Sequence, residues 1–171
     1  MDITQGSDIR GAATTASVLY VEDNAVNAVL MEAIIGMRAH TTLRVALDGT
    51  QAIHFALQER PDLLLLDMHL PDMDGFELLT ALRRHASLRN VPAVAVSAAT
   101  SPQDLASARA HGFIGYWTKP LELQRTLAEL DQLLAAVLAP ALAPASATTP
   151  HAPAAPTAPT ELAPPAPKGR R

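Results

Sequence analysis

Polar side chains follow apolar segments at four separate points of this sequence. Each carries a carboxylate, hydroxyl or ammonium group of the kind that takes part in metal and phosphate chemistry. They are Glu22 and Asp23 after residues 18–21, Asp67 after residues 63–66, Ser97 after residues 91–96, and Lys119 after residues 113–117. If these segments are parallel strands of one sheet, their carboxyl ends meet at the same edge. We therefore expect the five side chains to form one cluster.

Three carboxylates in such a cluster need a partner of opposite charge. A pair of like charges about 4 Å apart costs roughly 4 kcal/mol at an intermediate dielectric. Oxygen ligands without His or Cys select a hard cation, and Mg²⁺ is the first candidate. A metal beside a carboxylate, opposed by a fixed lysine and hydroxyl, suits phosphoryl transfer with Asp67 as the nucleophile that forms an aspartyl phosphate.

Strands and helices alternate along the segment that must position these groups. The four leucines of residues 63–66 predict a strand that is buried on both faces, as in the centre of a parallel sheet. The other predicted strands are residues 18–21, 43–46, 91–96 and 113–117, and the predicted helices are residues 25–37, 50–58, 76–85, 102–110 and a last one ending at 138. This order predicts an α/β fold, with helices on both faces of a five-stranded parallel sheet.

Two of the predicted helices have clear starting signals. Asn24 is a suitable N-cap for the first helix, in which five apolar residues recur at helical spacing: Val26, Val29, Leu30, Ala33 and Ile34. Ser101 and Pro102 resemble an N-cap followed by proline at the first helical position. Both signals place a helix start shortly after the end of a predicted strand.

Composition excludes several classes of protein. The chain has 171 residues, 49% of them hydrophobic, which suffices for one domain with a core. The net charge of −4 favours no nucleic-acid surface, and the absence of cysteine excludes disulfides and thiolate catalysis. The acidic start of the chain resembles no signal peptide, and its apolar stretches are too short to span a bilayer. We therefore expect a cytoplasmic protein that binds neither nucleic acid nor membrane.

The two ends of the chain differ in composition from its centre. Residues 1–16 are small and polar without periodicity, and nine of the 14 prolines lie between Pro140 and Pro167. Such segments bury too little apolar surface to offset the entropy of ordering. We predict a flexible segment over residues 1–16, one domain over residues 17–138, and a disordered tail over residues 139–171.

The polar residues at the strand ends also carry a resemblance to a known family. Their order and spacing, together with the run Pro71-Asp72-Met73-Asp74-Gly75 and with Tyr116 three residues before the lysine, resemble the receiver domain of two-component response regulators. The resemblance covers about residues 17–138. It implies the flavodoxin-like, doubly wound strand order 2-1-3-4-5.

The resemblance also implies a role for each site residue. Asp67 would accept phosphate from the phosphohistidine of a sensor histidine kinase or a histidine phosphotransfer protein. Asp23, Asp67 and the backbone carbonyl of His69 would hold Mg²⁺, with Glu22 acting partly through water. Lys119 would pair with the phosphoryl oxygens, Ser97 would donate its hydroxyl to one of them, and Tyr116 would be the switch aromatic.

The resemblance also leads to expectations about the downstream protein partner and about the lifetime of the phosphorylated state. A stand-alone receiver would signal through a protein that binds the face made by the fourth helix, the fifth strand and the last helix. Whether it transmits, relays or drains phosphate stays open. His69, two residues after the phosphoacceptor, is often Met or Asn in receivers, and we expect its side chain to modulate how water reaches the phosphoryl group.

Two other functions compete with this interpretation. A Mg²⁺-dependent phosphatase of the haloacid-dehalogenase type also uses an Asp nucleophile after an apolar strand, but it needs a second Asp two residues later, where this chain has His69. A degenerate receiver that serves only as a scaffold is the third possibility. The complete set of Glu22, Asp23, Asp67 and Lys119 argues against the scaffold.

Overall fold

Five parallel strands with five helices around them make up the structure, a computed structural model that describes residues 15–142. The elements are β1 (Ala16–Val21), α1 (Ala25–Gly36), β2 (Thr41–Ala46), α2 (Gly49–Gln58), β3 (Leu63–Asp67), α3 (Gly75–Arg83), β4 (Ala93–Ser97), α4 (Pro102–His111), β5 (Gly115–Thr118) and α5 (Leu123–Leu142). The strand order is β2-β1-β3-β4-β5. The predicted fold class and strand order are confirmed.

β3 lies at the centre of the sheet and explains the run of four leucines. It pairs with β1 on one side and β4 on the other, and all five of its residues are buried. The register pairs Val21 with Leu66 and Asp67 with Val96. Because the strands are parallel and in close register, β1, β3 and β4 end at nearly the same level of the sheet.

Alternation along the strands divides the core into two apolar layers. Leu19, Val21, Leu64 and Leu66 face α2, α3 and α4, in a layer that also contains Ala52, Leu78, Leu82 and Ala108. Val18, Tyr20, Leu63 and Leu65 face α1 and α5, in a layer with Met31, Ile34, Trp117 and Leu130. We call the second set the α1–α5 layer. Every strand side chain is thus assigned to one side of the sheet by its position.

The apolar face predicted for α1 agrees only in part, at Leu30 and Ile34, with the face that packs on the sheet. Ala28, Met31, Ile34 and Ile35 are the buried residues of the helix, whereas Val26 and Val29 are 77% and 63% exposed. Apolar residues occur almost all round this helix, so periodicity did not identify the buried face. The position of the sheet decides which of them are covered.

The boundaries of β4, β5 and α5 differ from those expected. The strand predicted from Val91 begins at Ala93, and the one predicted from Phe113 begins at Gly115. Gly112 ends α4 in the left-handed conformation, and Phe113 still donates its N–H to the carbonyl of Ala108. Phe113 therefore belongs to the helix cap despite its apolar character, whereas Ile114 donates its N–H to the carbonyl of Ala93 and leads into β5.

The predicted end segments lie mostly outside the described residues. Ala16 belongs to β1, and α5 continues through residues 139–142, past its expected end at Leu138. The character of residues 1–14 and 143–171 stays a prediction. Between residues 15 and 142, none of the helices has the length and apolar content needed to cross a membrane.

Asp72 fastens the loop after β3 to the start of α2. Its carboxylate accepts hydrogen bonds from the N–H groups of Gly49 and Thr50, at 2.8 and 2.9 Å, and from the Thr50 hydroxyl at 2.8 Å. Partial burial acts to raise the pKa of Asp72, but these donors outweigh it and hold the pKa below its ordinary value. The loop is thus held by a charged side chain at the N-terminus of α2, whose N-cap residue is Asp48.

We predict that Asp72→Ala lowers the free energy of unfolding by about 1 kcal/mol, the usual loss when a cap is removed. Because folding lowers the pKa of this carboxyl, its stabilisation is present above the ordinary pKa of 3.8 and is lost as the pH falls further. Urea unfolding followed by circular dichroism from pH 3 to 7 measures this. Glu32→Gln, at an exposed position of α1, is the control, and an Asp72→Ala midpoint equal to the parent at pH 7 would contradict the assignment.

Candidate functional site

Three carboxylates meet at the carboxyl edge of the sheet, where β1 and β3 end. Glu22, Asp23 and Asp67 each offer one oxygen, and these oxygens lie within 4.8 Å of one another. Glu22 and Asp67 are buried, at 1% and 4% exposure, whereas Asp23 is exposed. The cluster therefore has two fixed carboxylates inside and one at the surface.

Lys119 reaches the two buried carboxylates from the end of β5. Its Nζ lies 2.6 Å from Glu22 Oε2 and 2.7 Å from Asp67 Oδ2, and the peptide bond to Pro120 is cis. Burial acts to lower the pKa of Lys119, but the two carboxylates outweigh it and raise the pKa above its ordinary value. The lysine is therefore charged and bridges both acids.

Glu22 has hydrogen-bond donors at both of its oxygens. Oε2 accepts from the Tyr20 hydroxyl at 2.6 Å, and Oε1 accepts from Asn27 Nδ2 at 3.0 Å and the backbone N–H of Asn24 at 3.4 Å. Burial acts to raise the pKa of Glu22, but the donors, Lys119 first among them, outweigh it and lower the pKa. This buried acid is therefore held in its ionised form.

The turn after β3 holds the other side of Asp67. Oδ1 accepts the backbone N–H of His69 at 3.1 Å, and the chain then folds back so that His69 pairs with Asp74. Gly75 comes so close that an added Cβ would lie 2.9 Å from the carbonyl oxygen of Asp67. This close approach requires glycine, and it places the start of α3 directly against the backbone at the end of β3.

Ser97 and Tyr116 meet at Ala99, in the loop between β4 and α4. Ser97 Oγ accepts the N–H of Ala99 at 3.1 Å, and the Tyr116 hydroxyl donates to the carbonyl of Ala99 at 2.9 Å. Both side chains line a cavity of about 380 Å³ that His69 also lines. The loop is thus tied to two strands beside the acidic cluster.

The composition of the cluster fits a divalent cation. All three ligand candidates are carboxylates, which hard cations prefer. Their charge exceeds that of the single ammonium by two units. Glu22, Asp23 and Asp67 could therefore hold Mg²⁺ without a further counter-charge.

The structure brings together most of the side chains singled out from the sequence. Glu22, Asp23, Asp67 and Lys119 form one cluster, while Ser97, His69 and Tyr116 line the adjoining cavity. Sequence reasoning missed Tyr20, which is fully buried and bonded to Glu22. Its signal was a polar aromatic two residues before a carboxylate in a strand, a spacing that places both on one face.

The sheet is parallel and doubly wound, and its carboxyl edge carries an acidic cluster bridged by a lysine. These features define a class of α/β proteins that bind their ligands at this edge. Within that class, the family model of the response regulator receiver domain matches residues 18–131. The chain belongs to this family of two-component signalling proteins.

Individual relatives and solved structures support this family membership. The polar-differentiation response regulator DivK of Brucella anthropi is 33% identical over 118 residues, which cover 69% of this chain and 95% of that protein. The chemotaxis response regulator CheY4 of Vibrio cholerae superposes with a TM-score of 0.65 at 28% identity, covering 70% of this chain and 99% of that one. The receiver domain of sensor histidine kinase PA1611 from Pseudomonas aeruginosa PAO1, with magnesium in its active site cleft, superposes with a TM-score of 0.63 at 30% identity, covering 73% and 98%.

We predict that Lys119→Met lowers the free energy of unfolding by about 3 kcal/mol at pH 7, because two buried carboxylates then face each other without a counter-charge. The lysine itself does not titrate in the acidic range, since its pKa lies above 10.5. The loss should shrink as the pH falls towards 4.5, the ordinary pKa of Glu22, where protonation relieves the repulsion. Millimolar Mg²⁺ should restore part of the stability.

Denaturant unfolding with and without Mg²⁺ tests this expectation. Arg38→Met is the matched control, because it breaks the exposed ion pair between Arg38 and Asp131 and should cost under about 1 kcal/mol. Equal, pH-independent losses in the two variants would show that Lys119 does not compensate the buried acids.

Proposed function

We propose that the protein is a phosphoacceptor receiver in which Asp67 takes a phosphoryl group from the phosphohistidine of a sensor kinase or histidine phosphotransfer protein. The observation that carries this proposal is the ammonium of Lys119, held 2.7 Å from the carboxylate of Asp67 at the open edge of the sheet. A nucleophilic carboxylate with a fixed cation beside it is the arrangement that an incoming phosphoryl anion requires.

The transfer is a displacement at phosphorus. An oxygen of Asp67 forms the new P–O bond as the P–N bond of the phosphohistidine breaks, and the imidazole of the donor leaves. The N–H of His69 holds Oδ1 of the nucleophile, and Lys119 moves its bond from Asp67 to a phosphoryl oxygen. The hydroxyl of Ser97 donates to a second phosphoryl oxygen once its loop turns inward.

The reaction requires a divalent cation, and the acidic cluster would bind it. Asp23, Asp67 and the backbone carbonyl of His69 would hold Mg²⁺, with Glu22 acting partly through water. A bound Mg²⁺ supplies positive charge against the oxygens of the transferring group. The magnesium ion in the active site cleft of the PA1611 receiver domain supports this assignment, because that domain has the same fold at 30% identity.

Receiver domains act between histidine kinases and downstream proteins. Membership of this family therefore supports the proposal of two protein partners, a phosphate donor and a downstream target. The phosphate donor would be a kinase or phosphotransfer protein in the cytoplasm, where ATP supplies the phosphate. The downstream partner would be a protein that recognises the face made by α4, β5 and α5. In this role the protein promotes its own phosphorylation and dephosphorylation and turns over no small substrate.

Residue 69 distinguishes this role from that of a haloacid-dehalogenase-type phosphatase. Such an enzyme needs an acid two residues after its nucleophile, and His69 stands there with its side chain exposed. In a receiver, the same exposed imidazole is placed to modulate how water reaches the phosphoryl group. Turnover of a small phosphoester by the purified protein would favour the phosphatase.

The switch would run from Asp67 through Ser97 to Tyr116. Phosphorylation adds about one to two negative charges and new acceptor oxygens at the sheet edge. Drawing the hydroxyl of Ser97 towards them would break its bond to the N–H of Ala99, whose carbonyl holds the Tyr116 hydroxyl. Tyr116 would then move into the space behind Ser97 and change the face of α4, β5 and α5.

We predict that a small acyl-phosphate donor labels the protein only when Mg²⁺ is present, and that Asp67→Asn abolishes the label. The reasons are the repulsion between the incoming anion and three carboxylates, and the loss of the nucleophilic oxygen. Intact-protein mass spectrometry with and without EDTA measures both effects.

Asp74→Asn is the matched control for this experiment. It removes a nearby exposed carboxylate, but asparagine still serves as the N-cap of α3. This variant should be labelled like the parent. Labelling of Asp67→Asn at the parental level, or labelling that EDTA leaves unchanged, would refute Asp67 as the phosphoacceptor.

We also predict that beryllofluoride with Mg²⁺, a phosphoryl mimic, changes the amide exchange and chemical shifts of α4, β5 and the start of α5. Ser97→Ala and Tyr116→Phe should reduce these changes, because each removes one of the two bonds at Ala99. Thr80→Ala, which alters an exposed hydroxyl of α3, serves as the control. The proposed coupling fails if the mimic binds and this face does not respond, or if both variants respond as the parent does.

A further inference from the structure

Tyr20 places a hydroxyl inside an otherwise apolar layer of the core. The residue is 0% exposed and lies in the α1–α5 layer with Met31, Ile34 and Leu65. A phenylalanine ring would fill the same space, so the hydroxyl adds a polar contact and not volume. That contact is the 2.6 Å hydrogen bond to Oε2 of Glu22.

Strand geometry explains how a core residue reaches the site. Residues 20 and 22 point to the same side of β1, so the ring of Tyr20 lies beneath the carboxylate of Glu22. Lys119 approaches the same oxygen, also at 2.6 Å. A carboxylate oxygen has two lone pairs, and these two donors occupy both of them.

The second oxygen of Glu22 is held in the same way. Oε1 accepts from Asn27 Nδ2 and, at longer range, from the backbone N–H of Asn24. Donors from the core, from α1 and from the end of β5 therefore surround a single carboxylate. Rotation of Glu22 would break bonds on both of its oxygens.

We propose that Tyr20 is a positioning residue of the cation site, whose hydroxyl fixes the Glu22 carboxylate and, through it, the ammonium of Lys119. This inference rests on the proposed function, because it requires that the site binds a divalent cation. Without the hydroxyl, one lone pair of Glu22 faces apolar side chains unpaired. The carboxylate then turns out of the α1–α5 layer towards Lys119, and the cation competes with a tighter ion pair.

The test is the affinity of the full chain for Mg²⁺ alone, measured by isothermal titration calorimetry at pH 7. Tyr20→Phe should weaken binding by about tenfold, the low end of the loss seen when an outer partner of a metal site is removed. In a Glu22→Gln background, the same substitution should change the affinity by less than about twofold, because Tyr20 acts through the carboxylate.

Two further variants separate positioning from packing. Leu65→Val removes one methylene directly opposite Tyr20 in the same layer, and should lower thermal stability without changing Mg²⁺ affinity. Asn27→Ala removes a donor from the other oxygen of Glu22, leaves the α1–α5 layer intact, and should weaken Mg²⁺ binding by a smaller factor than Tyr20→Phe.

The outcomes distinguish this role from the proposed function. A parent protein that binds Mg²⁺ while Tyr20→Phe binds it equally well overturns the positioning role alone. A tenfold loss that persists in the Glu22→Gln background also overturns it, because Tyr20 would then act by another route. A parent that binds no Mg²⁺ overturns the proposed function and this role together.

Discussion

The ion pairs of Lys119 are the interaction on which the site depends. Glu22 and Asp67 are buried next to each other, and their repulsion would cost several kcal/mol without a counter-charge. The ammonium at 2.6 and 2.7 Å offsets that cost and leaves the exposed Asp23 to complete the cluster. One lysine thus keeps Glu22 ionised, and the cluster retains an excess of negative charge that could hold a divalent cation.

The parallel sheet makes these ion pairs possible. The turn after β3 and the loop after β4 then complete the edge, each held by its own contacts. β1, β3 and β5 end on the same edge, so three groups distant in the sequence meet without any long loop. The turn after β3 is held by the contacts of Asp72 with α2 and by the close approach of Gly75 to Asp67. The loop after β4 is linked through Ala99 to two polar side chains, Ser97 and Tyr116. The turn beside Asp67 and the loop after β4 are therefore fastened by different kinds of contact.

Tyr20 connects the chemistry of this edge with the core. Membership of the receiver family accounts for an acidic cluster and a lysine, and DivK and CheY4 agree with the whole domain at about 30% identity. The buried phenol of Tyr20 lies in the first strand. Its hydrogen bond to Glu22 links a charged group at the sheet edge to a residue within the α1–α5 layer.

The alternation of elements in the sequence predicted a parallel α/β sheet, and its resemblance to receivers implied the strand order. The sequence also determined which polar side chains share one edge, because parallel strands end together. Tertiary structure alone decided which face of α1 is buried, since a helix that is apolar on nearly all sides packs with whichever face the sheet covers. It also decided that Asp72 binds an N–H group at the start of α2 across 22 residues, and that Phe113 belongs to the cap of α4 and not to β5. Contacts between segments distant in sequence depend on how complete helices and strands pack together. Local residue patterns carry no information about that packing.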